Sequence, residues 1–407
     1  MLNRLNAAWA TALQTMLAVS CLGFSAASGA QTAAPNPVVE HFKAYSAALK
    51  RQDFAAAETA AQAALDASVQ AYGDGGRTAV LAFNLADVRL TQGKADAAAA
   101  PARKALEIAE AKGAASGLDP RLARLTLHRA ELRSGGVAAI DRLKNSVAEV
   151  ASDPALKTLA YGGAMDLALY ASEKQRHGES RLAWATAADI LRTQPNPNPM
   201  LLARAQLGEA TAGVFALNKK STRENFEASI ARNVPEVDAY IEFDKLIVGA
   251  MDMIAPEARK PGPTREATPA QTLYAQGAAL HAVIESKLRT DDMRLENLPQ
   301  PQDVVGEIGH TRHVLRACST RMVMDRKPTP SRGARIDGDV GAVVLKLNVN
   351  ESGEIADSVV AGSIGGAALV RAVTDVVPKW RIEKDDPAEA NCRVAREIFY
   401  TYYYYYW

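Results

Sequence analysis

Few residues in this chain have the types and spacing that chemistry requires. His310 and His313 lie three residues apart and could share one face of a helix, as pairs of metal ligands do. No carboxylate or third ligand is arranged with them, so a chance pair is the better interpretation and we predict no metal site. No GxSxG, P-loop, HExxH or CxxC motif occurs, and no nucleophile can be paired with a base. The sequence therefore predicts no catalytic residues, no cofactor and no enzymatic activity.

The first thirty residues predict export. Arg4 is the one charged residue in this stretch, an apolar segment follows at 7–27, and small residues at 28–30 precede a polar glutamine. That order is typical of a secretory signal cleaved after Ala30. Two alternatives remain open, an uncleaved membrane anchor and a lipoprotein acylated at Cys21. We expect a periplasmic protein whose membrane attachment is undecided.

Export would determine the oxidation state of the cysteines. After cleavage Cys318 and Cys392 would be the two that remain, and an oxidising compartment would favour a disulfide between them. The bridge would close a loop of about 74 residues, which the chain-entropy model equates to about 4 kcal/mol of stability. Two separate buried thiols are the alternative.

Composition bounds the class of protein. The chain has 407 residues, with 47 basic and 46 acidic side chains and 48% hydrophobic residues. It can build proper cores, so a wholly disordered chain is excluded. A balanced charge argues against nucleic acid as a partner, which would call for a basic stripe. No apolar run beyond the first thirty residues is long enough to predict an internal transmembrane helix.

The elements that position any site begin with a helical repeat. Residues 38–254 are rich in Ala and are interrupted at intervals of about 40–43 residues, at 51–53, 92–94, 134–136, 176–179 and 218–220. A shift of 41 residues brings Ala57, Ala64 and Leu65 onto Ala98, Ala105 and Leu106. Small residues at fixed helix positions let helices approach closely, so this period predicts stacked helical hairpins.

The stretch from Asn84 to Ile108 resembles the tetratricopeptide repeat in its longer, kinesin-light-chain-like form. The resemblance implies an α-helical solenoid whose concave face holds peptides or partner proteins. A spacer without a ligand is the alternative, since no cluster of Lys, Arg or Asn marks a ligand face. The many Asp and Glu pairs of this region are interpreted as solvated helix faces.

Prolines mark the end of the repeats. Residues 255–317 are predicted to be a linker with a capping helix, because four prolines lie between 255 and 269 and another break follows at 298–301. Between these breaks, Ala270 to Arg289 has one apolar face and predicts a single helix that caps the solenoid.

The last ninety residues, 318–407, have a different pattern. Apolar residues alternate with polar ones from Val343 to Val349, which predicts a half-buried strand, and a Gly-containing turn at 351–354 leads to a second strand at 355–361. Leu369 to Val376 has the spacing of a helix on that sheet, and a last strand runs from about Arg393. The order is β-β-α-β, so the whole chain is α+β.

Residues 341–349, the Ser-Gly-Glu-Ile turn at 352–355, the helix at 369–372 and Lys379-Trp380-Arg381-Ile382 resemble the C-terminal domain of the TonB energy transducer family. The resemblance implies a periplasmic domain that takes part in transport and binds outer-membrane receptors through an exposed sheet edge. The chain departs from the family because its first thirty residues lack His and helical repeats replace the Pro-rich spacer. Energy transduction is therefore left open.

The family resemblance places the partner beside the last strand. We predict the binding edge at Val394, Arg396, Ile398, Tyr400 and Tyr402. Six of the twelve tyrosines lie between 400 and 406. An aromatic surface for a partner, a likeness to the aromatic ends of outer-membrane strands, and a plain continuation of the strand are the open interpretations of this tail.

Two function classes remain. In one, the protein is a periplasmic interaction factor that binds an outer-membrane receptor or another envelope protein through residues 318–407. In the other, it is an envelope assembly scaffold whose helical repeats bind the partner.

Overall fold

The computed structural model describes residues 36–132, 135–220, 234–260, 266–290, 316–317, 320–329, 341–364, 367–388 and 392–404. These ranges contain twelve helices and seven strands. The chain divides between Asn196 and Pro197 into two compact units. The first is helical, and the second combines helices with antiparallel strands, as the α+β interpretation requires.

The first unit consists of helical hairpins. Its helices in the described ranges are α1 Pro37–Lys50, α2 Phe54–Tyr72, α3 Gly76–Thr91, α4 Ala95–Lys112, α5 Pro120–Glu131, α6 Gly136–Ala151, α7 Tyr161–Glu173 and α8 His177–Arg192. Each helix contacts the next along the chain. The hairpins are α1/α2, α3/α4, α5/α6 and α7/α8. The predicted helical repeats are confirmed.

The hairpin turns show why the sequence breaks where it does. A residue with positive φ lies at each one, at Gln52, Gly93, Gly136 and Gln175. The Asp53 side chain then accepts a hydrogen bond from Ala56 N at the start of α2, which satisfies one of the unpaired donors of that helix end. Four of the five predicted breaks therefore coincide with hairpin turns, whereas the prediction of a break at 218–220 is wrong, because these residues lie in the helix Pro199–Lys220.

Small residues set the distance between the helices. Ala57 and Ala64 on α2 and their equivalents Ala98 and Ala105 on α4 are fully buried. A methyl side chain leaves room for the neighbouring helix to approach closely, so these four positions must stay small.

The second unit adds strands to helices. Its helices are α9 Pro199–Lys220, α10 Val234–Ala258, α11 Pro269–Thr290 and α12 Ala367–Thr374. Its strands are β1 Arg316–Ala317, β2 Thr320–Met324, β3 Gly341–Val349, β4 Ile355–Ile364, β5 Trp380–Lys384, β6 Cys392–Arg393 and β7 Arg396–Tyr404.

The main sheet has the strand order β4-β3-β7, and both of its pairings are antiparallel. Its elements follow the predicted β-β-α-β order as β3, β4, α12 and β7. Two short pairs that the sequence interpretation lacked accompany it, β2 with β5 in antiparallel and β1 with β6 in parallel orientation.

Both faces of β3 are buried, which corrects the prediction of a half-buried strand. Val343, Leu345 and Leu347 face a core that includes α12 and Trp380. Ala342 and Val344 face the opposite way and pack against α11. Because a helix covers the second face, Lys346 is also buried, although its charge suggested a solvated position.

Helix α11 explains why the division falls after Asn196 rather than near residue 254. Its Leu280 and Ile284 pack in one core with α9 and α10, while its Ala275 and Ala279 pack on the sheet. The predicted capping helix, at Pro269–Thr290, therefore joins α9 and α10 to the strands. Helix α10 runs to Ala258, past the predicted start of the linker, because the residues around Pro256 are buried: Ile254, Ala255 and Ala258.

The turn between β3 and β4 requires glycine. Gly353 has a φ of +82°, and its carbonyl accepts a hydrogen bond from Ile382 N at 2.7 Å. A Cβ atom there would lie 2.0 Å from the carbonyl oxygen of Ile382. The Ser-Gly-Glu turn read from the sequence thus also ties the hairpin to β5.

Candidate interaction surfaces

The first helices of three successive hairpins, α3, α5 and α7, form one layer in the first unit. Helix α3 contacts α5, and α5 contacts α7. A helical hairpin contributes one face to such a layer, and successive hairpins extend it into a continuous surface. This layer is the structural basis of a candidate partner surface.

A buried group of charges ties the layer together. Arg129 on α5 donates from Nη1 to Asp87 Oδ1 on α3 at 3.2 Å, and from Nε to Asp166 Oδ2 on α7 at 2.7 Å. The side chains of Arg129 and Asp87 are 4% and 9% exposed, whereas that of Asp166 is 25% exposed. One guanidinium therefore links three successive hairpins.

Burial dominates the electrostatics of this group. It raises the pKa of Asp87, although the charge and hydrogen bond of Arg129 act in the opposite direction. Burial, and then the charge of Asp87, raise the pKa of Tyr45 on α1, so this phenol stays neutral. The solvated-face interpretation is wrong for Asp87, because its carboxylate faces neighbouring helices and not water.

Apolar side chains repeat between the first helices of the first two hairpins. Phe42 on α1 and Phe83 on α3 are 41 residues apart, partly buried, and packed against one hydrophobic core. Val39 and Val80, each three residues earlier, are also half-buried. Residues three apart lie on one face of a helix. Each of these two helices therefore presents a partly exposed valine and phenylalanine side by side.

The last strand forms an edge of the main sheet. Within the described strands, β7 pairs with β3 on one side and with no strand on the other. The backbone N–H and C=O groups of an edge strand are free to pair with an added strand. The structure thus has the kind of edge that the family resemblance implied.

The predicted edge residues lie at this strand, but four of the five side chains turn inward. Val394 precedes β7 and is buried in the core around Trp380, and Ile398, Tyr400 and Tyr402 pack against the same core. Arg396 is the first residue of β7 and pairs with Val349. A partner at this edge would therefore meet mainly the backbone of β7.

The disulfide and the histidine pair fall partly or wholly outside the described ranges. Cys392 lies in β6 and pairs with Arg316, and Arg393 pairs with Ala317, the residue before Cys318. Cys318, His310 and His313 lie outside the described residues. Where the structure describes the chain, no three His, Cys, Asp or Glu side chains are grouped as metal ligands.

None of the described helices is both long enough and apolar enough to cross a bilayer.

Comparison with known proteins supports the repeats. The tetratricopeptide repeat family model matches residues 42–111, which run from α1 to α4. A search of curated proteins found no similar sequence. The matched hairpins include Phe42, Phe83 and Asp87, so part of the layer described above belongs to the matched region. Residues 42–111 are similar to tetratricopeptide repeats, and this similarity indicates a role in protein–protein interaction.

Proposed function

We propose that the protein is a non-enzymatic interaction factor of the cell envelope, exported to the periplasm by its first thirty residues. The observation that carries the interaction role is the match of α1–α4 to tetratricopeptide repeats, together with the layer of first helices that these hairpins build. Such layers present a surface formed by several repeats, which suits an extended or helical segment of a partner.

A second surface is proposed at β7. The β-β-α-β order and the open edge support the resemblance to a TonB C-terminal domain, whose partners are outer-membrane receptors. Since Ile398, Tyr400 and Tyr402 pack inward, affinity at this edge would come from main-chain hydrogen bonds to a partner strand. In this proposal the protein binds an outer-membrane receptor or another envelope protein through β7 and serves transport.

A proline scan on β7 tests that surface. Successive residues of a strand direct their N–H groups to opposite sides, so one of Ile398 and Phe399 donates towards the open edge. We compare Ile398→Pro and Phe399→Pro in the full chain and retain the variant whose circular dichroism spectrum matches that of the wild type. This variant lacks an edge donor, so we expect it to bind a TonB-box peptide at least about tenfold more weakly than the wild type. Surface plasmon resonance measures the affinity.

Ile398→Ala is the matched control, since it shortens the side chain and keeps the N–H group; it should bind within about threefold of the wild type. If the folded proline variant binds like the wild type, edge pairing is wrong.

Cross-linking in cell envelopes then tests the alternative, a scaffold whose helical repeats bind the partner. Loss of partners in Phe83→Glu, but not in Glu107→Lys on the exposed side of α4, would assign the partner to the repeats.

We also propose the Cys318–Cys392 disulfide. The pairing of β1 with β6 supports it by bringing the two segments side by side, with Arg316 as the strand partner of Cys392. Thiol counts on the exported protein should differ by two between reducing and non-reducing conditions. Cys318→Ser should destabilise the second unit by about 4 kcal/mol or less and leave unfolding of the first unit unchanged. Two free thiols in the native exported protein would exclude the bridge.

A further inference from the structure

A buried acid–imidazole pair joins two helices of the second unit. Asp244 on α10 is fully buried, and its Oδ1 lies 2.7 Å from His281 Nδ1 on α11. The His281 side chain is 10% exposed. The second carboxylate oxygen of Asp244, Oδ2, is buried without a hydrogen-bond partner. An ionised carboxylate with an unsatisfied oxygen is costly in such a place.

We propose that this pair is an acid-strengthened latch, which tightens the packing of α11 on α10 when it takes up a proton and loosens that packing when it loses one. With one proton held between Asp244 and His281, the pair has no net charge. Without that proton, a lone carboxylate remains between the helices.

The surroundings favour the protonated pair. Burial is the largest influence on Asp244 and raises its pKa; the hydrogen bond and charge of His281 lower it, and the charge of Glu285 raises it again. Glu285 lies on α11, one turn beyond His281. Its negative charge therefore works against a second negative charge at Asp244.

The helix and the sheet that pack against α10 and α11 do so through apolar cores. Helix α9 meets α10 and α11 through apolar residues such as Leu207 and Val214. The sheet meets the opposite face of α11 through Ala342, Val344 and Ala361. Lys346, two residues beyond Val344 on β3, is the buried cation of that sheet face. Among the described residues, the charges that shift the pKa of Asp244 are those of His281 and Glu285, both on α11.

The sign follows from proton linkage. A carboxyl whose pKa is higher in the folded state binds a proton that the unfolded chain has already released, so folding stability falls as pH rises above about 4 and through the folded value. Because α11 also carries the sheet on its Ala275 and Ala279 face, the latch controls how firmly the strands are held to α10.

Hydrogen exchange on the full-length chain tests the latch. After correction for the intrinsic effect of pH on exchange, protection of the α11 amides should fall by about tenfold or more as pH rises from about 4 to about 8, the factor that one pKa unit represents. Protection of α3 and α5 in the first unit serves as an internal reference.

Asp244→Asn keeps a side chain that can bond to His281 but cannot ionise, so its α11 protection should be nearly independent of pH. Asp252→Asn, at an exposed position of α10, is the matched control and should retain the wild-type response. If Asp244→Asn fails to fold, Asp244→Leu, which also cannot ionise, gives the same expectation. A wild-type response that persists in the folded variant, or a wild-type protein without a pH response, overturns the proposal.

Discussion

Replacing Arg129 with methionine should destabilise the first unit by about 3–5 kcal/mol, the cost of leaving a buried partner charge uncompensated. The guanidinium contacts Asp87 and Asp166 on the two neighbouring first helices. Without it, the carboxylate of Asp87 stays buried among helices with no opposite charge. Urea unfolding, followed by hydrogen exchange of α3, α5 and α7, measures the loss.

The pH dependence of the stability of Arg129→Met tests separately whether charge or packing causes the loss. The pKa of Asp87 is already raised by burial, and removal of Arg129 would raise it further. The destabilisation should therefore be largest near neutral pH and shrink as pH falls and Asp87 takes up a proton. A loss that is equally large at pH 4.5 and pH 7.5 would show that packing, and not charge, holds the layer.

Two further variants separate charge from shape. Arg103 on α4 pairs with Glu131, and its side chain is 54% exposed, so Arg103→Met should cost no more than about 1 kcal/mol. Adding Asp87→Leu and Asp166→Leu to Arg129→Met replaces the buried charges by apolar groups and should recover most of the loss. If Arg129→Met costs no more than Arg103→Met, Arg129 does not tie the layer together.

The helical repeats could be predicted because the packing of each hairpin requires small residues at the same positions. Positions such as Ala57 and Ala98 must be small wherever two helices meet, so they recur with the period of the hairpins. Turn residues recur with the same period, since each hairpin must reverse direction. Local constraints that repeat along a chain are visible in the sequence without any knowledge of its tertiary contacts.

The buried charges could not be predicted in the same way. Arg129 meets Asp87 and Asp166 across 42 and 37 residues, and His281 meets Asp244 across 37 residues. A charged residue on a helix is usually solvated, and sequence alone does not say which helix face another hairpin covers. The 42-residue spacing from Asp87 to Arg129 matches the repeat, and it is the one signal that could have indicated a contact between hairpins.

The C-terminal strands show the same limit. The alternation in β3 predicted one buried face, and that face is buried. The second face is covered by α11, which is about seventy residues earlier in the chain. Ala275 and Ala279 indicate a close approach to something, but not that a sheet is the partner. The position of β7 at an edge of the described sheet was expected from the family resemblance, which places the partner beside the last strand, and periodicity alone did not indicate it.

Trp380→Ala should have the largest effect on the second unit, with a loss of about 3–5 kcal/mol for a large aromatic side chain truncated in a core. Trp380 is 1% exposed and is among the largest fully buried side chains of the described chain. Its ring lies 5.8 Å from that of Tyr400 and 6.0 Å from that of Tyr402, between centroids. Removing it takes the support from the inward face of β7.

Trp380→Phe distinguishes the ring from its hydrogen bond. Trp380 Nε1 donates to the carbonyl oxygen of Arg326 at 2.9 Å. Phenylalanine keeps a ring beside the two tyrosines and loses the donor, so we expect a smaller cost of about 1–2 kcal/mol. Hydrogen exchange of β3 and β7 should be measured at matched urea concentrations. The additional loss of amide protection in Trp380→Ala should lie in β7, because the tyrosines that contact the indole belong to that strand. Equal costs for the two variants, or a loss spread evenly over the helices α9 and α10, would contradict this role.

If the edge of β7 binds a partner strand, Trp380→Ala should also weaken that binding while Trp380→Phe preserves it, since an edge can template an incoming strand only while its own backbone is held in place.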